Sequence, residues 1–387
     1  MLERLGPWIN DAIVDLIALE HRVDPLFRDA FNRAFQQPLV KLVQILLRAT
    51  HKNPETALCE EIVAPDEQAN TQAIIESMSR FTKRQYKHSI AQRAGNTKTY
   101  GIVQAEFEVL GDLPPHLSKG VFAAPRKWPA WIRFGGPGPY WPPDVKDAGI
   151  LSIGIKLMGV PGEKFLPDEK ETQDFLGITC PTFTTPNVHE NLKLQRAILA
   201  RTPVFYFLNP FDSHYLDALM QGLYARMNTS PLEVRYWSCV PYLLGEKQAV
   251  KFSVKPRPST KTKIPFNPPF DWLRQAMAAT LAERDWEFDF LLQTQADPGR
   301  QPIEDASIEW QEDLSPFVPV ARILISKQIF DTPERTLMAR EFSFNPWHAI
   351  AEHRPLGNQN RARKAIYREL SQLRMRMNRE LHIEPKG

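Results

Sequence analysis

Histidines and arginines crowd the stretch AREFSFNPWHAIAEHRPLGNQNRARKAIYREL, residues 339 to 370, where Phe342, Phe344, Trp347, His348 and His353 surround a Pro-containing turn. Histidine titrates near neutral pH and binds metals, and the pair flanks Glu352, so a zinc-hydrolase reading has to be weighed. That chemistry needs two ligands one helical turn apart. His348 and His353 are five positions apart, about 500° around a helix, so their side chains would diverge by roughly 140°. Zinc is therefore disfavoured. Cys59, Cys180 and Cys239 are isolated in sequence with no CxxC pair, which suggests small buried hydrophobes rather than a disulfide framework or zinc knuckle. GGPGP, from Gly135, lacks the lysine and the strand-to-helix context of a phosphate loop and reads as a turn; no GxSxG elbow supports a serine nucleophile.

What remains is arginine beside aromatic residues. Arg93, Arg133, Arg340 and Arg354 lie in QRAGN, WIRFGG, AREFSF and EHRPLG, each next to an apolar strand or turn. A planar guanidinium suits bidentate contact with carboxylates, and a buried unpaired one is costly. Together they suggest a large apolar ligand carrying carboxylates. Singly, the ordinary reading of each is a pair with an Asp or Glu of the fold.

The elements that must position these residues change character along the chain. Residues 1 to about 52 read as helices. In QQPLVKLVQILLRATHKN, Leu39, Val40, Leu42, Val43, Leu46 and Leu47 recur at helical spacing with Lys41, Gln44 and Arg48 opposite. Such a helix docks on a core or lies on a membrane surface, and both readings stay open for residues 39–51. A polar link near 53–72 leads to a second helical piece, TQAIIESMSRFTKRQY. From Tyr100 the signal is strands: YGIVQAEFEVL, PAWIRFGG, ILSIGIKLMGV, VRYWSCVPYLL, QAVKFSVKP, WEFDFLLQTQ and FVPVARILISK, with loops such as GDLPPHL and GGPGPYWPPD between them. A helix falls near DWLRQAMAATLAER, and RARKAIYRELSQLRMRMNREL is a basic C-terminal helix. Seven or so strands with few helices between them argue for one antiparallel barrel or sandwich.

Composition sets the outer bounds. The chain has 387 residues, 43% hydrophobic and 24% charged, as soluble globular proteins have. Its 34 prolines are roughly 9% of the chain against a usual ~5%, which predicts many rigid connections. A net charge of +3 is too mild for a nucleic-acid binder. An odd number of cysteines fits a reducing cytoplasm, the N-terminus lacks the order of a secretory signal, and no apolar run approaches ~18 residues.

The blocks YGIVQAEFEV, GDLPPHLSKGVFAAPRKWPAWIRFGG, GIKLMGVPGEKF, TQDFLGITCPTF, RYWSCVPYLLGEKQAVKFSVKP and FSFNPWHAIAEHRPLGNQNRARKAIY, in this order, resemble the catalase-like haem proteins, in particular their divergent small branch outside the true catalases. The resemblance runs from about residue 75 to 375. It divides the chain into an N-terminal helical extension, 1–74, and a catalase-like domain, 75–387. It implies an α+β fold: an antiparallel β-barrel with helices at both ends, holding haem b in its interior, with a distal side for peroxide and a proximal tyrosinate on the iron. Carried over residue by residue, Arg93 corresponds to the arginine three positions before the distal histidine, Arg133 to a propionate arginine, Arg340 to the arginine four positions before the proximal tyrosine, and Arg354 to a further propionate arginine. Phe183 corresponds to the phenylalanine covering the distal haem face.

The reactive positions differ. The distal histidine position falls on Asn96, and asparagine cannot shuttle a proton near neutral pH. The distal asparagine position falls on Thr179. The tyrosine position falls on Phe344 counting forward from Arg340, and on His348 counting back from Leu356 and Gly357, so His348 is open as an axial ligand, a structural histidine or a substrate contact. The resemblance thus implies either an oxidoreductase for organic or fatty-acid hydroperoxides with weak catalase activity, or a barrel that binds haem or lipid without turnover. Peripheral membrane contact and a homodimer are further expectations.

Overall fold

The computed structural model describes every residue except Met1, Lys52, Pro137, Pro139, Tyr140, Val145, Lys146, Ala148, Lys386 and Gly387, so part of the Gly–Pro loop after Gly135 lies outside the described residues. The strands are β1 (Thr99–Val109), β2 (Lys127–Gly135), β3 (Ser152–Met158), β4 (Thr172–Ile178), β5 (Tyr236–Trp237), β6 (Tyr242–Leu243), β7 (Ala249–Pro256), β8 (Trp286–Thr294) and β9 (Val318–Ile325). They form one antiparallel sheet in the order β5-β4-β3-β2-β1-β9-β8-β7-β6, and the pairing of β5 with β7 closes it into a barrel. Closure leaves no free edge between those eight strands, which is how antiparallel sheets avoid unpaired backbone.

The barrel interior is a packed core. Side chains alternate along each strand, so Val103, Ile132, Ile155 and Phe175, opposite one another across β1 to β4, all face inward. Phe290 has its ring centroid 5.1 Å from Phe107, 5.2 Å from Phe175 and 5.1 Å from Phe252, so aromatic rings fill the centre. These rings, edge to face at Phe107 and Phe175 and stacked at Phe252, occupy the interior in which the resemblance implies the cofactor.

Helices wrap the outside: α1 (Leu2–Phe31), α2 (Gln37–Thr50), α3 (Glu67–Gln85), α4 (Val188–Leu199), α5 (Pro203–Leu208), α6 (Tyr215–Tyr224), α7 (Trp272–Glu283), α8 (Pro333–Glu341) and α9 (Asn358–Asn378). A π-helical turn, Asn32–Gln36, joins α1 to α2. Helix α3 packs with α4 and α9 through Ile74, Val188, Leu192, Ala362 and Ile366. The α8 start is local chemistry: Thr332 Oγ1 accepts from Arg335 N at 3.2 Å and Pro333 follows it. Gly357, at φ +83°, opens α9; a Cβ there would meet Ile303 O at 2.5 Å, so only glycine fits.

Candidate functional site

The outer face of β1 to β4 carries the chemistry. Register places Ile102, Arg133, Gly154 and Leu176 side by side in one row across the four strands, and Gln104, Trp131, Lys156 and Asp174 in the next. Over the first row lies Phe344, close enough to Gly154 that a Cβ on that glycine would meet its ring at 3.0 Å. Trp131 meets Phe342 edge to face, centroids 5.7 Å apart, and Met158, Ala339 and the part-buried Tyr367 complete this apolar layer. The segment 339–344 and α9 thus form a wall against the sheet.

At one end of the wall sits a group of cations. Arg133 is buried, and its Nη2 donates to Asn96 O at 2.7 Å and Thr99 Oγ1 at 2.8 Å. Arg93 Nη1 donates to Ala339 O at 2.7 Å, and its Nη2 bonds Phe342 O. Arg374, buried on α9, bonds Arg340 O, and Arg340 in turn lies 3.4 Å from Glu380. Among the described residues, Arg93, Arg133 and Arg374 bond to carbonyl and hydroxyl oxygens, and no carboxylate lies within ion-pair distance of them. Burial and the neighbouring arginines push all three below the usual arginine range, Arg133 and Arg374 to about 10. Glu380 opposes the shift at Arg93 and Arg374 from beyond ion-pair distance, and a dicarboxylate would relieve the crowding that is left.

In the second row, Lys156 Nζ donates to Asp174 Oδ1 at 2.7 Å and bonds Glu169. His348 stands over this pair, Nδ1 3.0 Å from Asp174 Oδ2 and Nε2 3.2 Å from Asp168 Oδ1. Burial and Lys156 lower the affinity of His348 for its proton, yet the hydrogen bonds to Asp168 and Asp174 carry its pKa up to about 9. Glu169, Asp174 and His348 converge as metal ligands would, but the Lys156 ammonium already sits on both carboxylates. His353 is separate: its Nε2 accepts from Val121 N at 2.9 Å beside Phe122 and Phe175, and burial drops its pKa to about 4.

The fold brings together Arg93, Asn96, Arg133, Arg340 and Phe344. It places four other residues singled out from the sequence elsewhere. Thr179 is buried with Oγ1 accepting from Leu151 N at 2.9 Å. Phe183 packs against the barrel core. Arg354 pairs with Glu61 at 2.7 Å. His348 has both ring nitrogens in the ionic cluster. Two residues were missed: Arg374, which reads as one more charge on a basic helix, and Tyr367, whose Oη accepts from Arg363 Nη2 at 3.2 Å across one helical turn. The i, i+4 spacing of Arg363 and Tyr367 was visible in the sequence. Beside the Arg93 loop an open groove of about 790 Å³ is lined by Tyr86, Ile90, Gln92 and Trp141.

No protein-family model and no curated protein matches the chain. Solved structures do. A fungal catalase superposes with a TM-score of 0.59 at 13% identity, covering 87% of this chain and 70% of its own. Catalase A from Saccharomyces cerevisiae gives 0.58 at 14%, covering 84% and 68%. A bacterial catalase gives 0.57 at 14%, covering 87% and 69%. At such identities the likeness is one of fold, and the fold is catalase-like.

Proposed function

We propose that this chain binds haem b through Arg93, Arg133 and Arg374 and acts on organic hydroperoxides, fatty-acid hydroperoxides among them, rather than as a catalase. The carrying observation is that the buried Arg133 and Arg374 and the part-buried Arg93 have no carboxylate within ion-pair distance among the described residues, because two propionates would answer that charge. Phe344 has no donor atom and His348 has no free nitrogen, so neither suits iron. Tyr367, in the same apolar layer and bonded to Arg363, is the phenol we assign to it. When bound, haem would supply redox cleavage of the O–O bond. The chain's own part is to orient the group by its carboxylates and to exclude water with Ile102, Trp131 and Phe342. Asn96, held beside Arg133 at φ 49°, is the amide proposed to orient the peroxide. An amide does not relay protons, so dismutation of hydrogen peroxide is expected to be weak. Thr179, proposed alongside it, engages Leu151 N. The apolar groove at Tyr86, Ile90 and Trp141 favours a lipid-like substrate.

The test is an absorption spectrum of the chain reconstituted with haem. A Soret band that weakens in Arg133→Ala and shifts in Tyr367→Phe, while His348→Ala retains it, supports the proposal. No Soret band sinks it. A Soret band without hydroperoxide consumption selects the alternative, a haem-binding barrel without turnover.

A further inference from the structure

Helix α1 is turned inside out. Its buried side includes Asn10, His21, Asp24 and Arg28. Asn10 Oδ1 accepts from Val204 N at 3.2 Å, Asp24 Oδ2 accepts from Met227 N at 3.0 Å, and Arg28 pairs with Asp24. Its exposed side carries an apolar stripe, Trp8 at 68%, Leu16 at 66%, Leu19 at 59%, Val23 at 45% and Leu26 at 85%, with Ala12 and Ala30 in line and the exposed Asp11, Asp15, Arg22 and Asp29 along its flank. These positions recur every three or four residues, so they form one stripe. Past the π-helical turn the stripe runs on through Phe35, Leu42 and Ile45, also exposed, while Val40, Val43 and Leu47 pack against Met220 and Leu223 of α6. An apolar face of this length marks an interaction surface.

We propose that its occupant is the same stripe of a second copy of this chain, running antiparallel about a two-fold axis near Phe27. Charge decides the direction. Before Phe27 the run carries Glu3, Asp11, Asp15, Glu20 and Asp24 against Arg4 and Arg22, whereas after it Arg28, Arg33, Lys41 and Arg48 face one acid, Asp29. Antiparallel pairing sets the acidic half on the basic half; parallel pairing sets like on like. Register agrees. An axis at Phe27 puts Trp8 opposite Leu46, Ala12 opposite Leu42, Leu16 opposite Pro38 and Leu19 opposite Phe35. It also puts Lys41 between Asp11 and Asp15 of the other copy, and Arg33 beside Glu20. Such a self-complementary patch is what a two-fold dimer requires. From Leu2 to Thr50 the helical run is roughly 70 Å along its contour and about 10–12 Å wide, enough for a contact near the ~800 Å² per partner of a standard interface. An anionic bilayer would instead be repelled by the acidic half.

Sedimentation of the full chain tests this. A dimer at micromolar concentration is expected, with Leu19→Lys and Leu26→Lys each weakening it at least tenfold at unchanged circular dichroism. Lys41→Glu and Asp11→Lys should each weaken it by several fold, and the two together should restore it. A wild-type monomer at all concentrations overturns the proposal, as does a double reversal that fails to recover. Flotation of a monomer with phosphatidylcholine vesicles overturns it in favour of a lipid occupant.

Discussion

Lys156 Nζ stands 3.4 Å from His348 Nδ1, two cationic groups in contact, and both are held by the carboxylates of Glu169 and Asp174. The cluster clasps the segment 345–348 onto the outer face of β3 and β4. Asn345 N donates to Asp174 Oδ2 at 2.8 Å, which adds a backbone tie at the same point. The wall that carries Phe344 is therefore fixed at one end by charge and at the other by the bonds of Arg93 to Ala339 and Phe342.

The first prediction concerns pH. In the unfolded chain His348 titrates near ~6.5, and in the fold its pKa is about 9. A raised folded pKa means stability that is fully present below about 6.5 and lost as pH rises through 9. Wild-type melting temperature should therefore fall between pH 6.5 and 9. In His348→Asn it should be lower at pH 6.5 and should fall less over the window. Thermal unfolding across that range checks it, and equal slopes for both proteins would refute the assignment.

Gly154 supplies the second. A Cβ there would lie 3.0 Å from Phe344 Cδ1, tighter than ordinary contact, so Gly154→Ala must shift the ring by a few tenths of an ångström. Overpacking of this kind costs about 1–3 kcal/mol. Phe344→Leu in the same chain should recover part of that loss, because the two positions share one contact and are not additive. Urea unfolding of the two single variants and the double variant measures the coupling.

How legible this was depends on which residues carry each element. Strand β1 was plain, since Ile102 to Val109 alternate with polar positions in an ordinary way. Strand β4 begins with Thr172, Gln173 and Asp174, a polar run that carries no alternating strand signal. They are buried, and their polarity is answered by the Lys156 cluster rather than by water. Helices α4 to α6 and α8 go unmarked in the strand-and-loop reading of the chain, although Asn187 and Thr332 cap two of them. The basic C-terminal helix is plain in the sequence, but a periodic charge pattern does not say that Arg374 is buried. The amphipathic pattern of residues 39–51 allows docking on the core or on a membrane. The inversion of α1 shows only when the fold reveals which side its polar residues take.

A third prediction follows from Arg361. Its guanidinium bonds Glu61 Oε1 at 2.6 Å, Glu67 Oε2 at 2.7 Å and Glu304 Oε1 at 2.9 Å. It ties the connection between α2 and α3, and α3 itself, to α9 and to the loop after β8. Breaking a network of this kind leaves three carboxylates crowded together, and Arg361→Met should cost about 3 kcal/mol. Because the ties are local, limited proteolysis should cut first within residues 53–66, while the barrel amides keep their protection from hydrogen exchange. Uniform loss of protection would contradict a local role.

The last prediction separates the three thiols. Cys180 and Cys239 are buried side by side, Cys239 Sγ donating to Cys180 O at 3.0 Å, and burial pushes the Cys180 thiol up to about 12 and that of Cys239 further. A thiol reagent attacks the thiolate, so both should be inert while the barrel is folded. Cys59 is only part-buried, and although burial raises its pKa too, Arg354 opposes the shift. Titration with a disulfide reagent should therefore release one equivalent from the native protein, lost in Cys59→Ser, and three in denaturant. Native release of two or three equivalents would mean that the end of β4 next to β5 opens, since Cys180 and Cys239 lie just beyond those strands.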